Sequence, residues 1–219
     1  IELLVENGIK PCIAHSDATS DEALKAIELG ATHVTHCYNA MSGLHHREPG
    51  IVGTVLVDPR VTTEIICDFH HVHPMAIKLL LNCKLPEKVC LITDAMRATG
   101  LPDGEYVISE QKAVLKDGQV KIGGTTLAGS VLTMDRAVKN VYQLGYRLTD
   151  VIQMATLTPA KIAGIDGEVG SIEVGKDADL IVLNDKLDVC ATLLKGETWL
   201  IDSSEGDQKI AEKLKKQVG

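Results

Sequence analysis

Aromatic side chains are scarce in this chain of 219 residues: one Phe, one Trp and four Tyr, 3% in all. Platforms that stack nucleic-acid bases are built on such rings, so that class is disfavoured. Excess positive charge is missing as well. The formal net charge is −8, which disfavours a polyanion-binding surface. A small phosphate can still be held by one Arg or by backbone N–H groups. No apolar stretch reaches the roughly 18 residues of a membrane span, and no secretory signal is visible. No Cys-x-x-Cys pair occurs among Cys12, Cys37, Cys67, Cys83, Cys90 and Cys190. Cys12, Cys67, Cys83 and Cys90 lie in apolar runs, which predicts buried free thiols in a reducing, cytoplasmic setting. There is no initiator Met, and Glu2 to Gly8 reads as the last turns of a helix capped by Gly8. The chain is therefore expected to be a piece of a longer protein.

Hydrophobic residues make up 45% of the chain and charged residues 24%, a globular composition. Three apolar runs end on residues that bind metals or move protons: Ile13-Ala14-His15-Ser16, Val34-Thr35-His36-Cys37 and Leu91-Ile92-Thr93-Asp94-Ala95. Such residues stand at the C-terminal ends of strands, where (β/α) barrels build their active sites. Two imidazoles and a carboxylate there point to metal-assisted hydrolysis, with His15 and His36 as ligands and Asp94 as the proton-transfer group. His33 is an odd number of residues from His36 on one strand, so it is expected to face the other way and to be structural.

The pattern around these residues alternates strand and helix. Strands are expected at 10–15, 33–36, 61–68 and 89–94. Helices are expected from Asp21 to Leu29, capped by Ser20 and ended by Gly30, and from Pro74 to Leu81. Periodicity leaves residues 51–57 open between a short helix and a buried strand. Repeated βα units of this length make only half of an eight-stranded barrel, and the other strands are expected upstream of Ile1.

The second half changes character. Short strands are expected at 105–108, 113–115 and 120–122, with Asp117-Gly118 as a hairpin turn. Gly123 to Ser130 reads as a loop of small residues. Ser130 is expected to cap a helix to about Leu144, Thr149 another to about Leu157, and Thr158-Pro159-Ala160 leads a third. Residues 170–172 and 178–183 read as strands of a small β domain. The tail, with Ile210, Leu214 and Val218 at helical spacing, reads as an amphipathic helix. The expected division is 1–165 for the second half of a barrel with a hairpin insertion near 105–123, 166–202 for part of a β-sandwich, and 203–219 for the tail.

Thr158-Pro159-Ala160-Lys161-Ile162 followed by Gly170-Ser171-Ile172-Glu173-Val174-Gly175-Lys176-Asp177-Ala178-Asp179-Leu180 is similar to the C-terminal pattern of the amidohydrolase superfamily. Thr35-His36-Cys37-Tyr38-Asn39-Ala40-Met41, Arg47-Glu48-Pro49-Gly50, Thr93-Asp94-Ala95 and Leu127-Ala128-Gly129-Ser130, in this order, resemble the N-acetylglucosamine-6-phosphate deacetylases within it. The resemblance runs from about Lys10 to Leu200.

It implies an α/β fold: the C-terminal half of a metal-dependent (β/α)8 TIM-like barrel, followed by strands of a small β-sandwich. It implies hydrolysis of the acetamide of N-acetyl-D-glucosamine 6-phosphate to D-glucosamine 6-phosphate and acetate. By match to the motifs, His15 and His36 bind a divalent ion, zinc before iron, and Asp94 is the catalytic acid/base. Asn39, Ala40 and Arg47 contact the sugar phosphate, His71 the substrate, and Leu127, Ala128 and Gly129 line its edge. A homodimer acting on a small sugar phosphate is implied, with neither nucleic acid nor membrane as partner. The family's Glu ligand from an earlier strand has no match here. In Phe69-His70-His71-Val72-His73 the family more usually has a small residue and one His; His71 takes that place, leaving His70 and His73 as loop residues. Other amidohydrolase reactions, on cyclic amides or N-acyl-amino acids, would share the metal site but have no obvious use for Arg47 with Asn39-Ala40. A truncated piece without a complete metal site is the non-enzymatic alternative.

Overall fold

The computed structural model describes residues 1–108 and 110–201, so the expected tail helix lies outside the described residues. The chain divides after Thr158 into two compact units.

The first unit is α/β. After a short helix α1 (Glu2–Glu6) come four parallel strands: β1 (Cys12–Ile13), β2 (His33–Val34), β3 (Thr62–Ile66) and β4 (Val89–Ile92), adjacent in chain order. Helix α2 (Ser20–Glu28) connects the first pair and α3 (Gly50–Val57) the second. Helix α4 (Pro74–Cys83) and a single 3₁₀ turn (Pro86–Lys88) connect the third. The core lies between sheet and helices. It includes Val34, Ile51, Val55, Ile65, Ile77, Leu80, Val89 and Leu91, closed further by Val138, Val141, Val151 and Met154. Those last four come from α5 (Met134–Gln143) and α6 (Leu148–Ala155).

The undecided run at 51–57 is helical. Every residue from Gly50 to Leu56 is buried, so the helix has no polar face and carries no 3.6-residue signal. Gly53 lets it pack: a Cβ there would lie 2.3 Å from Pro49 Cβ and 3.0 Å from Leu44 Cδ1. With a contact as short as 2.3 Å, overpacking by Gly53→Ala is expected near the upper end of its usual range of about 1–3 kcal/mol; less the gain of about 1 kcal/mol in helix propensity, the net destabilisation is about 1–2 kcal/mol. The denaturant midpoint measures it, and an unchanged or raised midpoint would refute the close packing.

Three caps differ from expectation. Thr19, not Ser20, caps α2, because its hydroxyl accepts from Glu22 N–H at 3.3 Å while Glu22 accepts from Thr19 N–H at 2.8 Å. Ser130 caps no helix. Its hydroxyl donates to Thr93 O and accepts from Leu132 N–H, and α5 starts only after Thr133. Thr149, expected to cap α6, lies inside it: the helix begins at Leu148 after Arg147, whose guanidinium pairs with Asp150 at 2.7 Å.

Between β4 and α5 the chain forms a four-stranded antiparallel meander: β5 (Gly104–Ile108), β6 (Gln111–Lys116), β7 (Gln119–Ile122) and β8 (Thr126–Ser130). Asp117 and Gly118 turn it at φ 50° and 74°, the left-handed pair that a tight two-residue hairpin needs. Residues 126–130 thus form a strand, not a loop, because their backbone pairs with β7. Ala98, Ala113, Leu115 and Val120 make a separate small core beneath it.

Helix α7 (Leu157–Ala163) leads into the second unit, a three-stranded antiparallel sheet of β9 (Leu180–Leu183), β10 (Val189–Leu194) and β11 (Glu197–Ile201), with β10 central. Residues 170–172, expected as strand, form none: Gly170 and Ser171 lie in a bend. Among the described residues, Cys12, Cys37, Cys67, Cys83 and Cys90 are free thiols. Cys37, Cys67, Cys90 and Cys190 are buried, but Cys12 and Cys83 are exposed, against expectation for those two. Among the described residues no helix is long and apolar enough to cross a membrane.

Candidate active site

Each strand of the parallel sheet is followed within three residues by a non-glycine residue in the left-handed backbone region: His15 (φ 41°), His36 (φ 23°), Phe69 (φ 66°) and Asp94 (φ 49°). Side chains with a Cβ rarely adopt this conformation. Its recurrence at one end of every strand marks a place where packing enforces strained turns, as functional sites do.

His15 and His36 meet there. Their Nε2 atoms are 3.0 Å apart and the rings stand edge to face, with centroids 4.8 Å apart. The parallel pairing of β1 with β2 produces this contact by setting the two strand ends level. Beyond the strands the loops are stitched together: Ser16 N–H donates to Ala40 O at 3.0 Å and Ser42 N–H to Ser16 O at 3.1 Å.

The fit of a metal ion rests on that pair. Two nitrogens bound to one tetrahedral ion at about 2.0–2.1 Å stand about 3.3 Å apart, close to the separation seen. Both Nε2 atoms must then be unprotonated, with the proton on Nδ1. His36 Nδ1 is buried without a hydrogen-bond partner among the described residues, so within them that part of the ligand shell is unsupported. Among the described residues no cluster of three or more His, Cys, Asp or Glu side chains is placed to hold a metal. The chain thus fits a divalent ion with two imidazole corners. Cys37 follows His36 but is packed fully buried in the core with Val34 and Ile65, and burial pushes its thiol up to about 12.

Asp94 lies two residues beyond β4, exposed. Its carbonyl accepts from Ser130 N–H at 2.8 Å, and Met96 N–H donates to Ser130 O at 2.8 Å. The meander therefore returns to the sheet beside Asp94 and brings Leu127-Ala128-Gly129 with it. Gly129 (φ 67°) approaches so closely that a Cβ would sit 3.3 Å from Asp94 O and 3.2 Å from Met96 Cβ.

Asn39 and Ala40 form the turn after His36, where Tyr38 (φ 79°) and Ala40 (φ 51°) are also left-handed. Asn39 Nδ2 donates to His36 O at 3.3 Å. Arg47 is exposed in the following loop. Its Nη1 lies 2.7 Å from His46 Nε2, and its N–H donates to His45 Nδ1. Glu48 does not pair with it: that carboxylate accepts from Ser20 N–H at 2.7 Å and Gly50 N–H at 3.2 Å. Among the described residues no hydrogen bond or ion pair ties Arg47, His71 or Asp94 to the His15–His36 pair.

Two carboxylates escaped the sequence reading. Glu64, in the middle of β3, accepts from His33 at 3.1 Å and from His36 N–H at 3.3 Å. Burial pushes its carboxyl up, but these contacts outweigh burial and hold it below the ordinary range. A charged residue inside a parallel strand was the available signal. Asp68 accepts from His71 Nδ1 at 2.6 Å, and an Asp three residues before a His was its only trace.

A profile of the amidohydrolase family matches residues 10–206. The N-acetylglucosamine-6-phosphate deacetylase of Vibrio furnissii is 43% identical over 197 residues, 90% of this chain and 49% of that protein. The N-acetylgalactosamine-6-phosphate deacetylase of Escherichia coli O157:H7 is 41% identical over 198 residues, 90% of this chain and 52% of that protein. Among solved structures, the N-acetylglucosamine-6-phosphate deacetylase of Pasteurella multocida superposes with a TM-score of 0.86 at 38% identity, covering 91% of this chain and 52% of that one. The chain spans about half the length of these relatives. With its parallel strands ending on paired imidazoles and a carboxylate, and a family match over nine-tenths of its length, the chain belongs to the amidohydrolase family.

Proposed function

We propose that the protein carrying this chain is a metal-dependent deacetylase of N-acetyl-D-glucosamine 6-phosphate. It releases acetate and D-glucosamine 6-phosphate in the cytoplasm, as a homodimer. In this reading residues 1–165 are the second half of a (β/α)8 barrel and 166–202 contribute to a small β-sandwich. The observation that carries the reading is the convergence of His15 and His36 Nε2 at 3.0 Å on adjacent strand ends, in a chain with two deacetylase relatives at 43% and 41% identity.

The chemistry needs a stronger nucleophile than water and a stronger electrophile than an amide. A divalent ion, zinc before iron, supplies both when bound, lowering the pKa of water to about 7 and polarising the carbonyl. His15 and His36 would hold it through Nε2. Asp94 takes one proton from the attacking water as the C–O bond forms. It returns that proton to the nitrogen as the C–N bond breaks, leaving a free amine and acetic acid, whose remaining proton passes to the amine or to solvent to give acetate. His71 Nε2 faces the substrate and steadies charge on the carbonyl oxygen. Leu127, Ala128 and Gly129 line the sugar edge; Gly129's missing Cβ keeps that strand close to Asp94.

Asn39, Ala40 and Arg47 hold the phosphate. Arg47 supports this reading because no carboxylate pairs with it among the described residues, Glu48 being committed to backbone N–H groups. Arg47→Ala is expected to raise KM for the phosphorylated sugar by about 10- to 100-fold, the loss of a charged hydrogen bond, and to leave KM for N-acetylglucosamine within about twofold. Equal effects on both would refute the phosphate assignment and favour another amidohydrolase substrate.

A second reading concerns the sugar. One relative at 41% identity is named for the galactosamine epimer. Comparing kcat/KM for the two N-acetylhexosamine 6-phosphates decides it: a clear preference for the galacto form would replace the gluco assignment while leaving the deacetylation intact.

A further inference from the structure

We propose that Asp68 is a positioning residue that fixes the ring and tautomer of His71, so that Nε2 is the atom offered to the substrate. The proposal rests on the reading of His71 as a substrate contact.

Asp68 stands two residues beyond the end of β3, and its side chain is 7% exposed. One oxygen accepts from His70 N–H and His71 N–H, each at 2.8 Å. The other lies 2.6 Å from His71 Nδ1. An ionised carboxylate only accepts, so the shared proton belongs to Nδ1. Burial works against the charged form, but the His71 ring and the two backbone donors outweigh it and keep the carboxyl below its usual range. The intervening Phe69 is held at φ 66°, so the turn is clamped at both ends of one side chain. A carboxylate that merely capped this turn would need the first oxygen alone.

His33 provides the contrast within the same sheet. Its ring is also buried and also bonded to a carboxylate, yet both of its nitrogens are used: Nδ1 lies 2.8 Å from Thr62 Oγ1 and Nε2 3.1 Å from Glu64. That is a histidine satisfied by its surroundings. The His71 ring is just as enclosed, at 8% exposed, but among the described residues only Nδ1 is bonded. Nε2 is not among the sealed, unpartnered atoms of the described residues, so it opens outward. An imidazole with one nitrogen locked and the other left open is arranged to meet something that arrives from outside.

The test is the nitrogen NMR spectrum of His71 in the purified full-length protein at mildly alkaline pH, with kinetics alongside. The wild-type ring is expected to carry its proton on Nδ1. Asp68→Asn keeps the shape and the acceptor for the two backbone N–H groups but turns an NH₂ toward the ring. The proton is then expected to move to Nε2, with kcat/KM falling about 10- to 100-fold, the usual effect of losing the partner that orients a functional histidine. Adding Asp68→Asn to His71→Ala should cost less than about twofold more, since the two act through one ring. A wild-type spectrum with the proton on Nε2 would overturn the proposal without any variant, so a failure of Asp68→Asn to fold does not shield it. An unchanged tautomer in Asp68→Asn would also overturn it. If His71→Ala leaves kcat/KM intact, the substrate-contact reading falls, while the spectrum still decides whether Asp68 orients the ring.

Discussion

Asp94→Asn is expected to lower kcat for deacetylation by about two to four orders of magnitude, the range in which a positioned acid–base group contributes, while KM changes by no more than a few-fold. The substitution isolates basicity from shape. Asp94 sits at φ 49°, and Asn tolerates the left-handed region as readily as Asp. The contacts that hold the backbone there, from Ser130 N–H to Asp94 O and from Met96 N–H to Ser130 O, involve no side-chain atom of residue 94. The side chain takes no hydrogen bond among the described residues, so the fold loses nothing when its charge goes. Steady-state acetate release at several substrate concentrations separates kcat from KM, and a melting curve checks the fold. Near-normal turnover would remove Asp94 from the chemistry.

His15→Ala and His36→Ala are each expected to strip the bound metal, to less than about a tenth of wild-type stoichiometry by elemental analysis, and to lower activity about 1,000-fold or more. Two of the four positions of a typical site come from this pair, and neither imidazole has a nearby substitute: among the described residues no third metal-binding side chain joins them. His36 is the more exposing test of the two. Among the described residues its Nδ1 is buried without a partner, an arrangement that costs about 1–3 kcal/mol in a purely structural residue. If His36 is structural, His36→Ala should leave metal content at the wild-type level and relieve that penalty, raising the melting temperature. Retention of full metal content by both variants would contradict the ligand assignment.

His15, His36 and Asp94 stood out in the sequence because apolar runs stop on them, and a strand that stops on a polar residue places it at the sheet's end. What the runs did not reveal was the backbone: three of these residues are left-handed, a conformation imposed by the loops and not by local preference. Helix α3 was ambiguous for the opposite reason. Its burial on every side removes the polar stripe by which a helix is recognised. At the start of α2, Thr19 and Ser20 are both good caps, and the choice falls to Thr19 through the reciprocal bond from Glu22 three residues on. Ser130 also has a capping side chain, but its hydroxyl is drawn across to Thr93 O, a contact 37 residues away in sequence that local pattern cannot register. Pairing with β7 makes a strand of Thr126–Ser130, and the bond from Ser130 N–H to Asp94 O brings Gly129 to Asp94. Asp68 was overlooked beside three histidines, because only the fold shows which of them its carboxylate reaches.

The most direct test of the proposed activity is acetate release from N-acetyl-D-glucosamine 6-phosphate by the purified full-length protein, with and without a metal chelator. The expected result is release that the chelator abolishes and added divalent metal restores. No release by the metal-loaded protein, or release indifferent to the chelator, would contradict it.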